Sequence, residues 1–142
     1  MTALDLTRTP PRSPRVELRG LCMLPRMIDI ARGKLPGGSA GEYQIGRGVS
    51  GAVFRAFGVS AAEFVALVAD ASNENDVAQR LWALGNVPIA ALSQRLRNLT
   101  VGDVPDDLRA DFQRLYGTDQ PADRCVFDIL EADDAQVFRK GT

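Results

Sequence analysis

The sequence predicts an all-α protein: a compact bundle of about six short helices behind an extended, proline- and arginine-rich N-terminal arm. Three observations predict it. Apolar residues recur every three or four positions through most of the chain after Gly20, the spacing that lines one face of a helix. Ser60, Asn73, Pro88 and Pro105 stand where helices start, and Gly58, Gly85 and Gly117 where they stop. Pro10, Pro11 and Pro14 deny a helix to the opening residues. The expected division is an arm over residues 1–19 and a single helical domain over residues 20–142.

In the arm, Arg8, Arg12, Arg15 and Arg19 seek water or anions, and Leu4, Leu6 and Val16 are the expected anchors. The first helix follows in GLCMLPRMIDIARGKLPGG. Leu24, Ile28, Ala31 and Leu35 share its apolar face, Pro25 suits its first position, and Pro36 stops it near Lys34. Arg26, Asp29 and Gly33 form a column on the opposite face with Arg32 beside them, so Asp29 can reach either arginine. The stretch Gly37–Gly51 reads as an irregular glycine-rich loop pinned by Tyr43 and Ile45.

Ala52–Phe57 form a short helix closed by Gly58. Ser60 and Glu63 make a capping box, with Val59 stapling to Phe64, and Ala61, Phe64, Val65 and Val68 face inward as far as Ala71. Asn73 caps the next helix, whose stripe is Val77, Ala78, Leu81, Trp82 and Leu84, ending at Gly85 in a left-handed cap. Pro88 opens a helix carrying Ile89, Leu92, Leu96 and Leu99. Pro105 opens another, in which Asp106 and Asp107 suit the helix dipole, Leu108, Phe112 and Leu115 are buried, and Gly117 is the stop. Asp123–Glu131 is helix or short strand, helix being favoured, and the tail from Asp133 is expected to fray.

Composition narrows function. The chain of 142 residues is 45% hydrophobic and 25% charged, as in a globular domain. No apolar run reaches the ~18 residues of a membrane span, and MTALDLTRTPPRSPR lacks the apolar segment of a signal peptide, so a cytoplasmic chain with no membrane role is expected. Cys22 and Cys125 read as two reduced thiols. There is no histidine, which removes the commonest general base and zinc ligand. Residues 1–59 carry nine Lys/Arg against four Asp/Glu, and residues 60–142 eight against fourteen. Such an imbalance marks either an anion-binding surface or two halves that pack together.

The segments Leu4–Thr7, Pro11–Arg15, Leu24–Arg32 and Gly41–Tyr43 give the pattern Leu-Asp-Leu-Thr, Pro-Arg-Ser-Pro-Arg, Leu-Pro-Arg-x-Ile-Asp-x-Ala-Arg and Gly-x-Tyr. The chain resembles a family of small bacterial proteins catalogued only as a domain of unknown function. The likeness is specific over the first 45 residues or so and looser through Ser60 and Trp82. Ile30 stands where the family helix tends to carry a lysine, and Gly46–Gly51 replace a less glycine-rich stretch. The resemblance implies an all-helical fold and assigns no activity or catalytic residue.

Several constellations invite chemistry. GRGVSG (Gly46–Gly51) matches the dinucleotide-binding spacing, but EYQI is short and polar for the buried strand that motif requires. Residues 76–98 form an αα-hairpin that could present Gln94, Arg95, Arg97 and Asn98 to DNA. Arg80 and Gln94 fall where a helix-turn-helix wants apolar residues, and the acidic half repels phosphates. Asp106–Asp107 and Asp133–Asp134 are explained by helix-start electrostatics and an exposed tail rather than by a metal, Trp82 is expected in the core, and Ser13, Ser50 and Cys22 lack a histidine to activate them.

The remaining set, Arg12, Arg15, Arg26, Asp29, Arg32 and Tyr43, is the candidate ligand site. If the arm folds over the first helix, its guanidiniums converge into forks suited to phosphate or carboxylate. Alternatively Asp29 and Glu17 neutralise them and lock the arm down. The expectation is a non-catalytic binding module for an anionic small molecule or an acidic protein surface, needing no cofactor or metal. The competing readings are an enzyme on a phosphorylated or carboxylated substrate with Asp29 as acid or base, and a DNA-binding protein.

Overall fold

The computed structural model describes residues 1–140. Its elements run β1 (Glu17–Leu18), β2 (Leu21–Cys22), α1 (Leu24–Gly33), α2 (Val49–Phe57), α3 (Ala61–Asp70), α4 (Glu74–Trp82), α5 (Ile89–Arg97), a 3-10 turn (Val101–Asp103), α6 (Asp106–Tyr116) and α7 (Val126–Lys140). The described residues thus hold seven α-helices rather than about six, and a two-stranded antiparallel sheet qualifies the all-α expectation.

Everything is arranged about α1. Leu24, Ile28 and Ala31 are fully buried, as their spacing predicts; with Met27, also fully buried, they pack in a core with Phe54 and Phe57 of α2, Phe64 and Val68 of α3, Leu81 of α4 and Phe127 of α7. Phe54 meets Phe64 at a ring separation of 5.2 Å, and Phe57 stacks on the half-buried Trp82 at 5.7 Å. The polar face of α1 departs from expectation. Arg26 and Asp29 are buried too, so nine of the ten helical residues are hidden. An amphipathic helix normally turns such a face to water. Here residues 1–16 and α7 cover it.

Residues 1–16 form no helix. Leu4 and Leu6 pair their backbones with Arg32 and Ser39, and the resulting bridge joins Asp5 to Ser39. Gly38 permits this close approach, since a Cβ there would lie 2.8 Å from the Leu4 carbonyl oxygen. Leu6 is buried as expected. Val16 is 40% exposed and anchors nothing; the buried Pro11 and Pro14 do that work instead.

Local signals fixed the helix ends well. Ser60 and Glu63 form the reciprocal capping box, the Asn73 side chain accepts from the Asp76 N–H, and Gly58 takes the left-handed conformation that closes α2. Gly85 does not; α4 ends earlier, at Ala83 in an ordinary helical conformation, which leaves Leu84 52% exposed. On α6, Leu115 is exposed and Tyr116 packs against the core in its place, its ring 5.0 Å from Phe112. The ambiguous CVFDIL resolves into both forms. Cys125 bridges Thr100, and a helix begins at Val126 and continues unfrayed through Asp133 and Asp134.

The β1–β2 hairpin was not foreseen. Its two connecting residues, Arg19 and Gly20, have φ of 50° and 86°, the double positive φ of a type I′ turn. Arginine is strained there and asparagine is favoured. Arg19→Asn is expected to raise the urea midpoint, by about 1 kcal/mol of stability; an unchanged or lowered midpoint would show that this turn carries no strain.

Candidate functional site

The six predicted residues divide among three environments. At the centre, the Arg26 guanidinium donates to both carboxylate oxygens of Asp134 at 2.7 and 2.9 Å, a bidentate pair with side chains only 5% and 11% exposed. The Tyr43 hydroxyl donates to the same carboxylate at 2.9 Å, and the Arg26 guanidinium lies 5.5 Å from the Tyr43 ring centre. Arg26 also donates to the Arg12 carbonyl oxygen at 3.3 Å. The sequence reading missed Asp134 in this role, because its neighbourhood read as a frayed tail. The usable signal was the apolar stripe Phe127, Leu130, Val137 and Phe138, which runs on past Asp133 and places Asp134 on the buried side of the helix.

One layer outward, Asp29 accepts from the Arg12 backbone N–H at 2.8 Å and from the Arg12 guanidinium at 3.1 and 3.0 Å. Asp29 therefore pairs with the leader and not with Arg26 or Arg32, the two expected partners on its own helix. Arg12 also donates to Glu74 at the start of α4. Arg15 reaches α7, donating to Glu131 at 2.9 Å and to Asp128, with its guanidinium 5.7 Å from the centre of the Phe127 ring. Arg32 stands apart at the end of α1, where it donates to the Thr2 carbonyl oxygen at 2.7 Å and to its hydroxyl at 2.9 Å. So Arg12, Arg15, Arg26, Asp29 and Tyr43 belong to one layer, and Arg32 does not.

This layer explains the uneven charge of the two halves. Arg12, Arg15 and Arg26 from the basic half meet Glu74, Asp128, Glu131 and Asp134 from the acidic half, and Glu17 is taken by Arg97 rather than by the leader arginines. The electrostatics follow the packing. Burial pulls the Arg26 guanidinium down, but the hydrogen bonds and charge of Asp134 outweigh it and hold the group above its ordinary value. The hydrogen bond from Arg15 holds the Glu131 carboxyl below the usual range. Burial pushes both tyrosines up, Asp134 reinforcing it at Tyr43 and Asp133 at Tyr116, which reaches about 12. The layer is a closed ion network with a half-open edge, and Asp29 inside it is occupied by Arg12 rather than presented to a substrate.

The remaining motifs find other roles. GRGVSG lies across the start of α2, which begins at Val49, and the one sheet among the described residues is the β1–β2 hairpin, so no parallel strand feeds it. Cys22 and Cys125 are free thiols donating to the carbonyl oxygens of Ser93 and Arg97 on α5. Residues 76–98 do fold as two helices, α4 and α5, with Arg97 engaged by Glu17. No cluster of three or more potential metal-ligating side chains exists among the described residues, and no single helix there is long and apolar enough to cross a membrane.

Two measurements test this layer. Removing one partner of a buried pair strands the other charge, so Arg26→Ala and Asp134→Ala are each expected to lose about 3–5 kcal/mol in urea unfolding, while Arg26→Met with Asp134→Leu recovers most of it. Single variants within experimental error of the parent would refute the pairing. In the second, a folded-state pKa above the unfolded value means stability that is full below pH ~10 and declines as pH rises through the folded value. The chain has two tyrosines, so no tyrosinate absorbance at 295 nm should appear near pH 10 until the protein unfolds. A normal titration there would contradict the upward shift of both tyrosines.

The opening motifs resembled a family catalogued only as a domain of unknown function, and comparison with family models agrees. The model described as "Domain of unknown function (DUF5069)" matches residues 8–136. No curated protein matches the chain. Covering nearly all of the sequence, that match places this chain in the DUF5069 family.

Proposed function

We propose that the chain is a non-catalytic binding module that recognises an acidic protein surface at the open edge of its arginine layer. The observation that carries this reading is the split between a sealed interior and an exchangeable rim. Arg26 and Asp29 are ion-paired and buried, whereas the Arg12 and Arg15 side chains are 37% and 41% exposed. Their outer partners are equally open: Glu74, Asp128 and Glu131 are 32%, 56% and 41% exposed. Ion pairs in that setting are worth about 0–1 kcal/mol, so an incoming carboxylate replaces them at little cost.

The internal occupant indicates what fits. Arg15 holds two carboxylates three residues apart on one helix, Asp128 and Glu131, with an aromatic ring beneath its guanidinium. Arg12 is fixed from behind by Asp29, so its fork is oriented before a partner arrives, which lowers the ordering cost of binding. Arg26, Asp29 and Tyr43 then act as the platform and Arg12 and Arg15 as the contacts. Arg32 lies outside the surface.

The test uses a fluorescein-labelled acidic helical peptide with Glu at i and i+3, read by anisotropy at low and high salt. Arg15→Ala is expected to weaken binding at least about tenfold, and Asp128→Asn with Glu131→Gln to strengthen it by removing the internal competitors. Affinity unchanged in both variants would end the proposal.

A further inference from the structure

A second, unrelated site stands out where α2 and α3 meet. The two helices are bent by 78° at the break Gly58–Ser60, and the inner corner holds a groove of about 440 Å³. Phe54, Val59 and Ala61 supply its apolar lining, and Gly46 and Gly51, the first and last glycines of GRGVSG, supply bare backbone. The absence of side chains keeps the groove open. A Cβ on Gly46 would press on the Ala61 Cβ at 3.0 Å, and one on Gly51 would stand 3.0 Å from the Gly46 carbonyl oxygen.

Arg55 is the cation of this groove. Its Nη1 is 3.4 Å from the Cβ position of Gly51, and among the described residues it has no hydrogen bond and no carboxylate partner. That sets it apart from Arg12, Arg15 and Arg26, each held by one or more carboxylates. The other charges nearby are engaged. Glu63 folds back to accept from the Ser60 N–H, and Arg47 is drawn toward Asp111 at 3.9 Å.

We infer that this groove binds a small organic phosphate monoester, its phosphate against the Arg55 guanidinium and its apolar or aromatic body against Phe54, Val59 and Ala61. Guanidinium is the side chain best matched to a phosphate fork, and the volume falls in the range of small-ligand sites. The glycines serve by leaving space, as they do in phosphate-binding loops, although the strand that a dinucleotide fold needs is missing. The site shares no residue with the arginine layer.

Phenyl phosphate is a suitable probe, with amide shifts recorded by heteronuclear NMR and affinity by calorimetry. Saturable shifts are expected at Gly46, Gly51, Gly58 and Ala61. Arg55→Ala should weaken binding about tenfold or more and Arg55→Lys by less, while Arg15→Ala leaves it intact. Arg55 is exposed, so its variants retain the fold. No saturable shift at millimolar phenyl phosphate, equal affinity in Arg55→Ala, or inorganic phosphate binding as tightly as the ester would overturn the proposal.

Discussion

Burying the polar face of α1 is the constraint on which the remaining architecture rests. Arg26 and Asp29 leave water only because each is paired with an opposite charge, Asp134 for the one and Arg12 for the other; an unpaired charge there would cost several kcal/mol. Those partners lie far away in sequence. Asp134 is 108 residues from Arg26, and Arg12 reaches back to Asp29 across 17. Satisfying two side chains therefore fixes the path of the leader and the position of α7 together. No buried side-chain nitrogen or oxygen among the described residues lacks a partner.

The stabilisation this supplies is specific more than it is large. A well-packed apolar substitute for a buried ion pair is often as stable. What the charges add is register: a bidentate Arg26–Asp134 pair, with the Tyr43 hydroxyl on the same carboxylate, admits α7 in one rotation and at one height. A purely apolar seam between α1 and α7 would tolerate sliding by a residue or two.

How much of this was legible in the sequence depends on the distance over which each signal acts. The Ser60–Glu63 box and the Asn73 cap are settled within four residues, and both were read correctly. The apolar faces of α1 and α3 needed only periodicity. Gly85 and Leu115 were misjudged because a stop glycine and an apolar spacing each leave two acceptable outcomes; the chain closed α4 at Ala83 and packed the half-buried Tyr116, not Leu115, against the core. The sequence raised a convergence of Arg12, Arg15, Arg26 and Arg32 on condition that the arm folds back, with neutralisation by Asp29 and Glu17 as the alternative; Asp29 does pair with Arg12, whereas Glu17 goes to Arg97 and Arg32 stands apart. Three of the acids that complete the layer, Asp128, Glu131 and Asp134, sit on α7, whose tail from Asp133 was expected to fray, and pairing over a hundred residues leaves no local trace. The Arg19–Gly20 turn was hidden because arginine is an unusual occupant of a left-handed position.

The small cluster of Leu6, Ile30 and Tyr43, flanked by Ile45 and Phe138, lies apart from the main core. It gathers one residue from the leader, one from α1 and one from the glycine-rich loop, with the end of α7 laid across them. Being thinly furnished with apolar contacts, this annex belongs to the low-stability end of the molecule, where partial opening precedes global unfolding. Lifting the last turns of α7 would take Phe138 away from this cluster and leave Tyr43 less covered. Backbone amide hydrogens around Leu6 and Tyr43 are therefore expected to exchange ahead of those in the helices around Phe64.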